Sequence, residues 1–78
     1  LLELTARDAS HLEAQLALAQ LREQRGDTAG AAAALEQAVW IWPYDAGVHA
    51  RLAAHAETLK DARRAVRERR AVLALAPV

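Results

Sequence analysis

The side chains in this 78-residue chain that could do chemistry are three histidines, a single serine and ten carboxylates. Ser10 adjoins His11, but a nucleophile and its base need a third, orienting group and a geometry that adjacency does not supply. His49 and His55 are six residues apart, whereas a helical metal-binding pair sits at i, i+4 on one face. The chain has no Cys, so thiolate metal sites and disulfides are excluded. Gly26, Gly30 and Gly47 are dispersed and form no phosphate-cradling loop. These residues predict no catalytic centre, no metal site and no cofactor. Two other groupings are informative. All three aromatics fall in Trp40-Ile41-Trp42-Pro43-Tyr44. Such a cluster is either packed at a junction between neighbouring structural units or exposed as an interface. Lys60, Arg63, Arg64, Arg67 and Arg70 gather on one helical face by i, i+3, i+4 spacing. They read first as a solvated outer face and second as a dock for an acidic partner. Nucleic acid is the weakest reading, because no aromatic is interleaved and the net charge is zero.

The elements that must carry these residues are helices. Ala, Leu and Arg dominate, all good helix formers. Ser10 with Glu13 has capping-box spacing and predicts a first helix through Arg25, stopped at Gly26. Its two apolar rows, Leu12/Leu16/Ala19 and Ala14/Leu18/Leu21, predict a helix packed on more than one side. Asp27 caps a second helix over about Thr28 to Trp42, which ends before Pro43. Asp45 caps a third through about Leu59, and Asp61 a fourth that ends before Pro77. Leu1, Leu2 and Leu4 read as the tail of an earlier helix. No apolar run approaches the roughly 20 residues of a membrane span, so no membrane role is expected.

Shifted by 34 residues, the chain registers on itself. Leu18 falls on Leu52, Ala19 on Ala53, Glu23 on Glu57, Asp27 on Asp61, Ala31 on Ala65 and Pro43 on Pro77. Ala14/Val48, Ala38/Val72, Val39/Leu73 and Ile41/Leu75 match conservatively. A helix–turn–helix period of this length, with Leu18-Ala19, Ala31 and the closing Pro43, resembles the tetratricopeptide repeat family. Gln24-Arg25-Gly26-Asp27 is similar to that family's turn between helices. The second copy carries Leu52-Ala53, Ala65 and Pro77, and is the more degenerate one. Where the family has aromatics, this chain has Gln15, Arg22, Leu35, His49, Ala56 and Arg69. Lys60 stands in place of the turn glycine, which predicts a longer helix or a strained turn.

The resemblance implies an all-α fold of antiparallel helix–turn–helix repeats, stacked as a short right-handed superhelical solenoid. Residues 1–8 would be the tail of a preceding helix or repeat, 9–45 the first repeat and 46–78 the second. It also implies a protein–protein interaction scaffold, a fragment of a longer array that binds a peptide or protein, and not an enzyme. The alternative is a self-association module, or one that docks onto an enzyme domain elsewhere in its parent chain. In the family the first helix of each repeat lines a groove. That nominates Glu13, Leu16, Ala17, Gln20, Glu23 and Gln24, then Gly47, Ala50, Arg51, Ala54, Glu57 and Thr58. Among these, Leu16, Gln20, Glu23, Arg51 and Glu57 are the leading partner-binding candidates, together with Trp40, Trp42 and Tyr44. There is no Asn, and Arg51 is the one basic groove candidate, which argues against a clamp for a terminal carboxylate. Charge is uneven along the chain. Residues 1–45 hold three basic against seven acidic residues, a balance of −4, and residues 46–78 hold seven against three, a balance of +4.

Overall fold

The computed structural model describes residues 4–76. Leu1, Leu2 and Pro77 lie outside them. The described residues form four α-helices: α1 Ala6–Gln24, α2 Thr28–Ile41, α3 Ala46–Thr58 and α4 Ala62–Leu75.

Three of the four starts sit where the sequence puts them, because an aspartate side chain takes up the first orphan backbone donors. Asp27 accepts from the Gly30 N–H at 2.9 Å, Asp45 from Gly47 at 2.8 Å and Asp61 from Arg64 at 3.2 Å. The first helix differs. It begins at Ala6 rather than Ser10, capped by Thr5, whose hydroxyl accepts from the Asp8 N–H at 3.1 Å. Thr5 with Asp8 offers the same local chemistry as Ser10 with Glu13. Ala6, Arg7 and Ala9 between them are sound helix formers, so the earlier cap prevails and Ser10 lies exposed inside the helix. Residues 6–8 therefore belong to α1 and not to an earlier helix.

The helix ends repeat at the 34-residue period. After α1, the Gly26 N–H donates to the Glu23 carbonyl at 3.1 Å and Asp27 N–H to Arg22 at 2.9 Å. After α3, Lys60 N–H donates to Glu57 at 3.0 Å and Asp61 N–H to Ala56 at 2.8 Å. Both are Schellman turns, which need a left-handed residue just past the helix. Gly26 supplies it at φ 75°, and Lys60 adopts φ 60° despite its Cβ. Of the two outcomes expected from Lys60, the structure takes the strained turn. α2 stops differently: Trp42 is extended, at φ −147° and ψ 96°, as the residue before a proline prefers.

At the backbone level only successive helices meet: α1 with α2, α2 with α3, α3 with α4. The described residues extend 36 × 31 × 17 Å. The shortest dimension suits two packed helices, whose axes lie about 8–10 Å apart. Alanine supplies most of the core. Ala19, Ala32, Ala34 and Ala38 are buried together with Leu35, Val48 and Leu52, and Leu12, Leu16, Leu18 and Val39 pack against them. Small side chains let backbones approach closely, but each removes little apolar area from water. Leu35 and Leu52, the largest fully buried side chains, therefore carry a large share of the packing.

Candidate interaction surfaces

Helix geometry decides which nominated residues can meet a partner. On α1, Glu13, Ala17, Gln20 and Gln24 follow i, i+4, i+3, i+4 spacing and are all exposed. On α3, Gly47, Arg51, Ala54 and Thr58 repeat that spacing; three are exposed and Arg51 is half-buried. Two side chains of α3 bridge the rows. Arg51 donates to one carboxylate oxygen of Glu23, and His55 Nε2 lies 2.6 Å from the other. The Arg51 hydrogen bond, followed by that of His55, holds the Glu23 carboxyl below its ordinary range against the opposing pull of partial burial. Between the other two helices, Glu36 of α2 takes Arg64 at 2.9 Å and Arg67 at 3.7 Å from α4. Helices that do not touch through their backbones are thus tied through ion pairs, α1 to α3 and α2 to α4.

Among the remaining candidates, Leu16 is half-buried against the core and Gln20 lies exposed on α1. Glu57, the repeat equivalent of Glu23, is exposed and receives Arg69, whose Nε donates at 2.8 Å. The aromatic cluster divides. Trp42 is half-buried with its ring edge-on to Tyr44, centroids 5.0 Å apart at 78°, while Trp40 is 79% exposed. The basic group divides too: Arg64 and Arg67 are engaged by acids of the same chain, and among the described residues Arg63 and Arg70 have no ion-pair partner.

One arrangement escaped the sequence reading. His49 and Glu68 are both buried, on α3 and α4, and face each other through Nδ1 and Oε2. The other ring nitrogen, Nε2, lies 2.7 Å from the Pro43 carbonyl oxygen. A carbonyl only accepts, so Nε2 donates there. A carboxylate oxygen and a bare ring nitrogen would both be acceptors, so the Nδ1–Oε2 contact carries a proton of its own. Glu68 Oε1 also takes Arg67 at 3.2 Å. The chain from Pro43 through His49, Glu68 and Arg67 to Glu36 pins the turn after α2 to both helices of the second half. The signal was faint: Glu68 falls 34 residues after Ala34, a core position, and a carboxylate at a core register demands a buried partner. Among the described residues no three His, Asp or Glu side chains converge as metal ligands do. Comparison of the sequence with protein-family models, with curated proteins and with solved structures gives no match.

Proposed function

We propose that this chain is a protein-interaction module made of two helix-pair repeats of tetratricopeptide type. The observation that carries the reading is the recurrence of one turn geometry at 34 residues: the same pair of backbone hydrogen bonds, a left-handed residue at the same place and a capping aspartate after it. A period in backbone conformation is harder to obtain by chance than a period in an alanine-rich sequence. Contacts confined to chain neighbours support it as well, since repeat architectures build stability from nearest-neighbour interfaces and display an extended surface. In this reading the helices stack as a short right-handed superhelical array. The exposed row Glu13, Ala17, Gln20 and Gln24, continued by Arg51, Ala54 and Thr58, is the receiving surface for a peptide or protein segment. Its small side chains leave room for an apolar or helical ligand. Its one guanidinium is already turned to Glu23, which leaves little to grip an anionic tail.

The experiment is selection of peptides from a displayed library on the 78-residue chain, followed by chemical-shift mapping of a selected peptide. Shifts should concentrate on the α1 and α3 row. Failure to select any peptide, or shifts confined to α2 and α4, would remove this reading. A second reading, self-association, is favoured by a different observation, the exposed Val66 and Leu73 on α4.

A further inference from the structure

The internal repeat shows what a covered face looks like in this molecule. In the first half, Ala32 and Leu35 of α2 are 1% and 0% exposed, and Val39 and Leu16 pack against the same cluster as Val48 and Leu52 of α3. α3 is the helix that covers them. Thirty-four residues later the same positions are Val66, Arg69, Leu73 and Ala50. No helix lies over them among the described residues. Val66 is 50% exposed, Leu73 is 76% exposed, and Arg69 and Ala50 are exposed. Two shallow cavities of about 420 and 250 Å³ run along this face, and Arg69 lines both. Glu57 draws the Arg69 guanidinium aside.

The complementary face is in the same chain. α3 covers the first half with Val48, Arg51, Leu52 and His55. Thirty-four residues earlier stand Ala14, Ala17, Leu18 and Leu21, apolar without exception. Ala14 and Ala17 are exposed, Leu18 is half-buried and Leu21 is 43% exposed. We propose that α1 of a second copy docks on the open α3–α4 face, so that copies add head to tail.

Charge selects this occupant and this orientation. The net charge is zero, so copies do not repel one another as wholes. The half holding the open face is the basic one and the half holding α1 is the acidic one, a balance of +4 against −4, part of which the Glu23 and Glu36 ion pairs already meet inside the chain. Head-to-tail addition sets opposite halves side by side, whereas pairing two α3–α4 faces about a two-fold axis would set basic against basic. The ion pairs of the internal junction are not reproduced, since Ala17 and Leu21 replace Arg51 and His55. The contact is therefore mainly apolar apart from Arg69, which stands where Leu35 does at the internal junction, and weaker than the one inside the chain. A heterologous contact of this kind leaves one face open at each end, so growth continues beyond the dimer. This inference stands apart from the peptide-binding reading, because its face shares only Ala17 with the peptide-receiving row and neither reading requires the other.

The test is sedimentation of the wild-type chain and of two single-face variants, Leu73→Glu and Leu21→Glu, with helicity checked for each. Val66→Glu and Ala17→Glu form a second pair should either of the first lose helicity. The wild-type mass should rise with concentration beyond a dimer. Each variant alone should stop short of that growth and remain monomeric. An equimolar mixture should give a species of twice the monomer mass that grows no further, because each variant keeps the face the other has lost. A wild-type chain monomeric at every concentration overturns the proposal. So does a Leu21→Glu variant that associates like wild type, the mark of two-fold pairing, and so does a mixture that stays monomeric.

Discussion

At the scale of single residues, the pair of His49 and Glu68 shows how burial changes what a charge is worth. The two ion-pair partners of Glu23 sit at the solvent boundary, where such contacts contribute modestly. His49 and Glu68 are 5% and 3% exposed, and all their buried side-chain polar atoms have partners. Removing one member leaves the other buried without its partner. Glu68→Ala should therefore lower stability by about 1–3 kcal/mol, the cost of an unsatisfied buried polar group, read from urea unfolding. That is a large part of the roughly 4–12 kcal/mol available to a domain of this size. Replacing both with apolar residues, as in His49→Leu with Glu68→Ala, should restore most of the loss, because no polar group is then stranded. If the double variant proves as unstable as the single one, the pair matters for its link to the Pro43 carbonyl and not as a compensated charge. Neither partner could be matched to the other from sequence. They are nineteen residues apart on different helices, and a histidine on a helix face is ordinarily a surface or packing residue. Only the structure, by burying Ala34, marks the equivalent position of Glu68 as a core register, and a carboxylate there states a need without naming the partner.

At the scale of the element, helix boundaries were legible wherever one residue type has one local task. The aspartates at 27, 45 and 61 cap because a short carboxylate reaches the N–H two or three residues on, and Pro43 closes α2 because it biases Trp42 away from the helical region. The start of α1 differs because Thr5 and Ser10 offer equivalent caps, and it is the helix formers between them that carry the helix back to Thr5. The turn after α3 was legible as a conflict, a Schellman geometry demanded of a lysine. A residue with a Cβ in the left-handed region carries a cost of about 1 kcal/mol that glycine avoids. Lys60→Gly should raise stability by about that amount, measured as a shift of the urea midpoint with unchanged slope. The effect will be partly offset by the greater freedom of glycine in the unfolded chain. A midpoint that moves down would mean that the turn is not strained and that the lysine side chain contributes something its geometry does not show.

At the scale of the molecule, the order of contacts sets the order of loss. α2 and α3 each pack against two helices, while α1 and α4 each pack against one. Local opening costs less where fewer apolar contacts are broken. Amide hydrogen exchange should therefore be slowest in α2 and α3, around Leu35 and Leu52, and faster in α1 and α4. Between those two, α4 holds the buried Glu68 and the ion pairs to Glu36, so its first two turns should exchange more slowly than the turn around Leu73. Equal protection in all four helices would mean one closed cooperative unit, and would count against nearest-neighbour stacking. The same measurement bears on the head-to-tail contact. A second copy adds a neighbour to α1 of one molecule and to α4 of the other, with the outer side of α3 around Ala50, and adds none to the α2–α3 junction. Raising the protein concentration should then slow exchange at the two outer helices and leave the centre unchanged. Uniform slowing would instead signal non-specific association, since a contact that uses one defined face at each end has no means of protecting the middle.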